Sequence, residues 1–89
     1  NTECEEVSKL QKEMEVILED FPEVISFHDF RIVGKEDKKN LIFDIVVKRE
    51  VTPQEENQLR QSIINKVREK HPHFHCIITI DKDYSYSHS

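Results

Sequence analysis

Ionisable side chains interrupt two short hydrophobic segments near the middle of the chain. His28 and Asp29 stand in the first segment, and Asp44 stands in the second. Inside a small sheet such groups cost free energy unless a partner or a ligand binds them. A small domain has little stability to spare for that cost. We therefore treat these positions as the first candidates for a binding function.

A catalytic use of the acidic residues has little support in the sequence. Asp44 and a later carboxylate, Asp81, are of the type that serves as general acid and base, but no substrate cleft is indicated. Gly34 is the only glycine, so the chain lacks a glycine-rich phosphate-binding loop. No serine or cysteine stands beside a convincing base. The sequence therefore predicts a protein that is not an enzyme.

The composition is typical of one small soluble domain. The 89 residues carry a formal net charge of −5, which argues against nucleic acid as a partner because nucleic acid selects basic surfaces. No segment has the roughly 18 consecutive apolar residues of a membrane span, and no signal peptide is visible. The first residue is not Met, so we expect a piece of a longer protein. Cys4 and Cys76 are expected to be reduced thiols, with Cys76 in the core.

Periodicity and turn signals predict an α-β-β-α-β order. A first amphipathic helix ends at Phe21–Pro22. Thr52 and Pro53 begin a second helix as its cap and first residue. The predicted elements after the first helix are strands 24–33 and 41–48 around a polar turn at 35–39, a helix 53–70 and a strand 74–81. We expect one domain over 1–84 and a polar tail over 85–89.

Alternation predicts which side of the sheet the helices cover. On the second strand Ile42, Asp44 and Val46 face away from the helices, and Ile77 takes the same outward position on the third strand. An apolar patch with a polar rim on a small open sheet is typical of a protein interface. Two-fold dimers dominate soluble oligomers. We therefore predict a homodimer whose interface includes Ile42, Val46 and Ile77; the alternative is that these residues are fully exposed.

The ordered pattern resembles a known family. The run 28–31, His-Asp-Phe-Arg, resembles the His-Asp-Leu-Arg strand of the cytoplasmic C-terminal domain of cation diffusion facilitator transporters. The hairpin strand, the capped helix and the strand 77–81 follow in the order and spacing of that family, so the resemblance covers roughly residues 14–84. It implies an α+β fold of the ferredoxin-like, metallochaperone-like kind, a three-stranded mixed sheet with two helices on one face.

The resemblance also implies a function. Domains of this family form a homodimer beneath a six-helix transmembrane domain, on the cytoplasmic face of the membrane. In many members they bind zinc or a similar divalent cation between the protomers, which tightens the dimer and regulates export of the ion. We therefore expect a regulatory and dimerisation domain of a divalent cation efflux transporter. The alternatives are a dimerisation domain without metal and a free-standing ferredoxin-like ligand-binding or adaptor domain.

The metal-binding positions of the family are only partly retained. His28 matches a strand-one histidine, Asp81 matches an aspartate near the end of strand three, and Asp44 stands where many members have a strand-two histidine. A carboxylate is still a zinc ligand. Asn57 and Thr79 stand where some members have histidines, and neither is a usual zinc ligand. The resemblance thus implies one weaker site, completed by water or the partner subunit, rather than a full two-metal site.

His28 presents a conflict of strand parity. It shares its parity with Phe30 and Ile32, which are expected in the core. A bulge, or a site at the strand end, is needed to turn it toward Asp44 and Asp81.

Each candidate ligand also has a structural alternative. His28 could instead bond a neighbour such as Asp29. Asp44 could pair with Arg31 on the adjacent strand, since opposite charges across a strand pair stabilise a sheet modestly. Asp81 could end its strand in solvent.

A short histidine-rich tract precedes and enters the last strand. His71, His73 and His75 alternate around Pro72. In an extended segment neighbouring members are about 7 Å apart, which is wide for joint binding of one ion. We keep His75 as the further candidate metal ligand.

Overall fold

The computed structural model describes residues 2–35 and 38–83, with side chains from Glu5 onward. Its elements follow the predicted order and are α1 (Thr2–Glu19), β1 (Val24–Lys35), β2 (Lys38–Val47), α2 (Pro53–Lys70) and β3 (Phe74–Lys82). Within these ranges, neither helix is apolar over enough of its length to cross a lipid bilayer. The predicted tail 85–89 lies outside the described residues.

The strands form one mixed sheet in the order β1-β2-β3. β1 and β2 are an antiparallel hairpin, and β3 lies parallel to β2. The buried residues of both helices join a single core cluster with the inward residues of the strands, so both helices pack on the same face of the sheet. The predicted α+β fold, with its α-β-β-α-β order and its three-stranded mixed sheet, is confirmed.

Alternation along β2 separates a buried side from an open side. The inward side chains are at most 1% exposed and are those of Leu41, Phe43, Ile45 and Val47. The helices cover them with two apolar stripes, Leu10, Met14, Ile17 and Leu18 from α1 and Leu59, Ile63 and Val67 from α2. Cys76 on β3 belongs to the same core, as predicted, and its thiol is free. The core is therefore built entirely on one side of the sheet.

The hairpin is longer than the sequence predicted. β1 continues to Lys35 and β2 begins at Lys38, and residues 36–37 between them lie outside the described part. Gly34 permits this extension, since its φ is +115° and a Cβ there would collide with the carbonyl oxygen of Lys38. Lys39 was expected in the solvated turn, but its Nζ lies 2.8 Å from Oε1 of Glu6 on α1.

α2 begins with the predicted cap. The Thr52 side chain accepts a hydrogen bond from the Glu55 backbone N–H at 3.1 Å, and the Glu55 carboxylate accepts one from the Thr52 N–H at 2.9 Å. Pro53 follows as the first helical residue. Lys82 Nζ lies 2.8 Å from Glu56 Oε2, which ties the first turn of α2 to the end of β3. These contacts fix α2 along the β3 side of the sheet.

Candidate functional site on the open sheet face

The sheet surface opposite the helices is the open face. It is formed by the outward side chains of the three strands, and the strand register places them in rows across the sheet. From the hairpin end the rows are Val33–Asn40–His75, Arg31–Ile42–Ile77, His28–Asp44–Thr79 and Ser26–Val46–Asp81. Every predicted metal ligand and every predicted interface residue therefore lies on this one face.

A bulge in β1 turns His28 onto the open face. His28 pairs with Asp44 and Arg31 pairs with Ile42, so three steps along β1 match two steps along β2. Asp29, within the bulge, has a φ of 58°, in the left-handed region that aspartate tolerates better than most residues. The extra residue reverses the parity of the strand. The bulge that the parity conflict called for is present, and it makes His28 a direct neighbour of Asp44.

Aromatic rings on the helix side hold the bulge in place. Phe27 and Phe30 both pack against the core although they are three residues apart. Their ring centroids lie 6.2 Å and 6.0 Å from that of Phe43, which is fully buried. In a regular strand, Phe27 and Phe30 would face opposite sides of the sheet. Packing of both rings on Phe43 therefore stabilises the bulge that presents His28.

His28 has a hydrogen-bond partner in its own strand. Its Nε2 lies 3.0 Å from Ser26 Oγ. A second irregularity in β1, between Val24 and Ser26, places Ser26 on the open face beside it. The structural alternative for His28, a hydrogen bond to a neighbour, is thus present, with Ser26 rather than Asp29 as the partner. Sequence reasoning missed Ser26, because nothing in the local sequence marks this second irregularity.

Asp44 is the central residue of its row, between His28 and Thr79, and it is half-buried. Arg31 lies one row away, opposite Ile42. Among the residues that the structure describes, the ion pairs do not include one between Asp44 and Arg31. The alternative structural role for Asp44 is thus not observed, and its neighbour across the strands is the His28 imidazole.

The other two predicted ligands lie farther from this pair. Asp81 is one row beyond Thr79, and β2 separates it from His28. His75 lies toward the opposite end of β3, roughly 13 Å from Thr79 by the rise of a strand. Within 2–35 and 38–83, no three His, Cys, Asp or Glu side chains are grouped so that they could hold a metal ion. A single protomer therefore brings together two of the four predicted donors.

Apolar side chains flank the polar pair. Ile42 and Val46 stand on either side of Asp44 along β2 and are half-buried. Ile77, opposite Ile42 on β3, is 44% exposed. The predicted interface residues thus form an apolar surface around a polar centre. They lie outside the hydrophobic core of their own protomer.

The histidines of the tract separate into two environments. His71 Nε2 lies 3.2 Å from Glu13 Oε1, and its ring stacks on Phe74 with 4.9 Å between centroids. His73 and His75 are exposed and line a cleft beside β3. The contact of His71 with α1 could not be predicted from the sequence, because Glu13 lies 58 residues away.

Comparisons with known proteins assign the chain to one family and one fold. Residues 7–83 match the family model described as the cytoplasmic domain of cation efflux proteins. The zinc form of the zinc transporter CzrB is similar in fold, with 16% identity over 91% of this chain and 89% of that chain and a TM-score of 0.78. The metal-bound C-terminal domain of the CzcD transporter from Thermotoga maritima has 21% identity over 84% and 86% of the two chains and a TM-score of 0.70. No protein with a curated description matches the chain.

The solved structures and the family model carry different information. At 16–21% identity, the structures establish the fold alone. The family model spans most of the chain and describes a part of a transporter that lies on the cytoplasmic side of the membrane. The chain therefore belongs to the family of cytoplasmic domains of cation efflux proteins, the family that its 28–31 strand and its order of elements resemble.

Proposed function

We propose that this domain joins two transporter subunits through its open face, and that a divalent cation of the zinc type strengthens the contact. The observation that carries the proposal is the composition of that face, where His28 and Asp44 are adjacent at the centre and Ile42, Val46 and Ile77 surround them. In this function the domain couples the cytosolic level of the ion to the association of the subunits.

Burial of the apolar residues drives the association. Ile77 keeps 44% of its surface in water in the single protomer, and Ile42 beside it is only half-buried. A two-fold axis through the open face brings the same residues of both protomers together. Removing these side chains from water stabilises the dimer. A chain of 89 residues buries a modest fraction of its surface alone, so a second subunit adds materially to its stability.

The donor set suits zinc but is incomplete in one protomer. An imidazole nitrogen and a carboxylate oxygen are ordinary zinc ligands, and His28 and Asp44 supply one of each as register partners. A structural zinc ion has four ligands, so the others come from Asp81, from water or from the second subunit. A cation that needs both subunits binds only the dimer, and by mass action it then tightens the association.

Sedimentation with and without zinc tests the metal part of the proposal. Zinc should lower the dissociation constant of the wild-type dimer. His28→Ala should reduce that effect about tenfold or more, because it removes one of the two adjacent donors. His73→Ala is the matched control, since His73 is exposed and lies outside the open face. Equal zinc responses of the two variants would contradict a site that includes His28.

A charge placed in the apolar surface tests the interface. Ile77→Glu puts a carboxylate beside Ile42 and against the open face of the second protomer. The variant should therefore be monomeric at concentrations where the wild type is dimeric. Val16→Glu is the matched control, because Val16 is 59% exposed on α1 and lies outside the open face. A wild type that stays monomeric at high micromolar concentration, or an Ile77→Glu variant that dimerises normally, would show that the open face is not the interface.

A dimerisation domain without metal is the second candidate. Thr79 favours it, because this residue shares the row of His28 and Asp44 and offers only a hydroxyl. Asn57 is likewise occupied elsewhere, since its Oδ1 accepts a hydrogen bond from Arg60 at 3.0 Å. If zinc leaves the wild-type dissociation constant unchanged while Ile77→Glu still separates the protomers, this function replaces the first. Family membership favours both over a free-standing adaptor domain.

A further inference from the structure

The two edges of the sheet differ in regularity. β1, at one edge, is irregular twice, between Val24 and Ser26 and between His28 and Arg31. β3, at the other edge, pairs with β2 without any shift of register over its whole length, and it contains no proline. Bulges twist an edge away from a potential added strand, and proline blocks pairing. β1 is therefore protected against a further strand and β3 is not.

The outer side of β3 has no strand partner in the described part of the chain, where β3 stands at the end of the sheet order. Every second backbone N–H and C=O group of an edge strand points outward. Such a row is a template for an extended peptide, which gains main-chain hydrogen bonds by adding to the sheet.

A cleft lies across the beginning of this edge. Its volume is about 430 Å³, and α2 and β3 both contribute to its walls. Cys76 faces the helices, whereas His75 before it faces the open side, and both line the cleft. The cleft therefore runs around the strand edge. Ile64 of α2 and Phe74 of β3 form its apolar wall.

Arg68 gives the cleft a positive charge although the molecule is acidic. Arg68, His73 and His75 line it, and no carboxylate of the described residues does so. The whole chain carries a formal net charge of −5, so this lining is a local departure from the overall charge. Such a surface suits a ligand that presents carboxylates beside apolar side chains.

We propose that the β3 edge and this cleft bind an extended acidic segment of another polypeptide. The segment adds to β3 as a fourth strand, with an apolar side chain against Ile64 and Phe74 and a carboxylate near Arg68. Because alternate side chains of an extended peptide point to opposite faces, others meet His75 on the open side. Of the residues in this site only His75 also belongs to the open face, and the binding does not require the open-face dimer.

Titration with synthetic peptides tests the site. The probe is a capped seven-residue peptide that carries valine and glutamate in turn along one face, Val-Thr-Glu-Thr-Val-Thr-Glu, and the control peptide has lysine in place of glutamate. The glutamate peptide should bind, and the lysine peptide should bind about tenfold or more weakly, because Arg68 repels it. Fluorescence anisotropy of labelled peptides measures both. Equal affinities, or no binding of the glutamate peptide, would overturn the proposal.

Charge reversal identifies the surface that the peptide uses. Arg68→Glu should weaken binding of the glutamate peptide about tenfold or more, whereas Lys12→Glu, at an exposed position on α1, should leave it unchanged. Arg68 is exposed, so the variant should keep its fold, which circular dichroism checks. Arg31→Glu places the same change on the open face. Loss of binding in Arg31→Glu but not in Arg68→Glu would overturn the site.

Hydrogen exchange locates the added strand. The bound glutamate peptide should slow exchange of the outward amides of β3 and leave those of β1 as they were. Slower exchange confined to β1, or no change at β3, would show that the peptide does not extend the sheet at this edge.

Discussion

The two sides of β2 differ in what a single protomer completes. The inward side chains are at most 1% exposed and are held by both helices. The outward ones, those of Ile42, Asp44 and Val46, remain half-buried, with neither α1 nor α2 above them. Substitutions on the inward side should therefore change the stability of the fold, and substitutions on the outward side should change association. One strand thus separates the two properties by alternation alone.

The largest change in the free energy of unfolding is expected at Phe43, on the inward side of β2. Phe43→Ala removes a fully buried ring that contacts both Phe27 and Phe30. We expect a loss of about 3–5 kcal/mol in the free energy of unfolding, from the buried surface and the cavity left behind. A domain of this size has little more than that to lose. Urea unfolding measures the change, and Phe43→Leu serves as the milder variant if the alanine variant does not fold.

Ile42→Ala is the neighbouring control on the outward side. It should lower the unfolding free energy of the protomer by only about 1 kcal/mol, because Ile42 is already partly exposed to water. Most of its effect should instead depend on protein concentration, as expected for a dimer contact. If the losses at Phe43 and Ile42 were similar and both independent of concentration, the two sides of β2 would not differ in function.

An intermediate effect should come from Cys76, which extends the inward side to β3. Burial raises the pKa of the Cys76 thiol from an ordinary value of 9.0 to about 11, while the nearby Arg68 guanidinium lowers it. Between pH 9 and 11 the unfolded chain has lost this proton and the folded chain still binds it. The contribution of this thiol to the free energy of unfolding is therefore fully present below pH 9 and is lost as the pH rises through 11, by about 3 kcal/mol in all.

Cys76→Ala removes this dependence. The difference between the wild-type and Cys76→Ala unfolding curves cancels the other groups that titrate in the same range. That difference should be constant below pH 9 and should shrink above it. A difference that stays constant from pH 8 to pH 11 would mean that the thiol loses its proton as easily in the folded chain as in the unfolded one.

The helices and the sheet faces could be predicted because their signals are local and periodic. The alternation from Leu41 to Val47 has period two, so it predicts which side chains of β2 are inward. The Thr52–Pro53 pair marks the start of α2, since cap and proline preferences act over a single turn. Neither prediction needs knowledge of a distant partner, and the structure confirms both.

The candidate site was harder to predict, because it depends on irregularities in β1. The sequence indicates the bulge between His28 and Arg31, since His28 and the apolar Phe30 could not both take the faces expected of them in a regular strand. Nothing in the sequence indicates the bulge between Val24 and Ser26. The contact of His71 with Glu13 could not be predicted either, because α1 and the start of β3 meet only after the sheet has formed. The strand register and the contacts between residues distant in the chain therefore could not be predicted from the sequence.

The smallest effect concerns Asp29, whose backbone decides which side of the sheet His28 takes. A residue with a Cβ costs roughly 1–2 kcal/mol at positive φ, and a β-branched one suffers most, whereas glycine adopts this region freely. Asp29→Gly should therefore change the unfolding free energy by less than about 1 kcal/mol and tend to raise it. Asp29→Val should lower it by about 1 kcal/mol.

The two Asp29 variants also separate the bulge from the side chain. Both remove the carboxylate, so a loss shared by both would reflect an interaction of that group, whereas opposite changes would reflect the φ of 58°. Zinc binding supplies the second measurement. Asp29→Gly should keep the zinc response of the wild type, because the bulge still holds His28 beside Asp44. A variant that stayed stable while losing that response would show that the bulge serves the aromatic core of Phe27 and Phe30 rather than the open face.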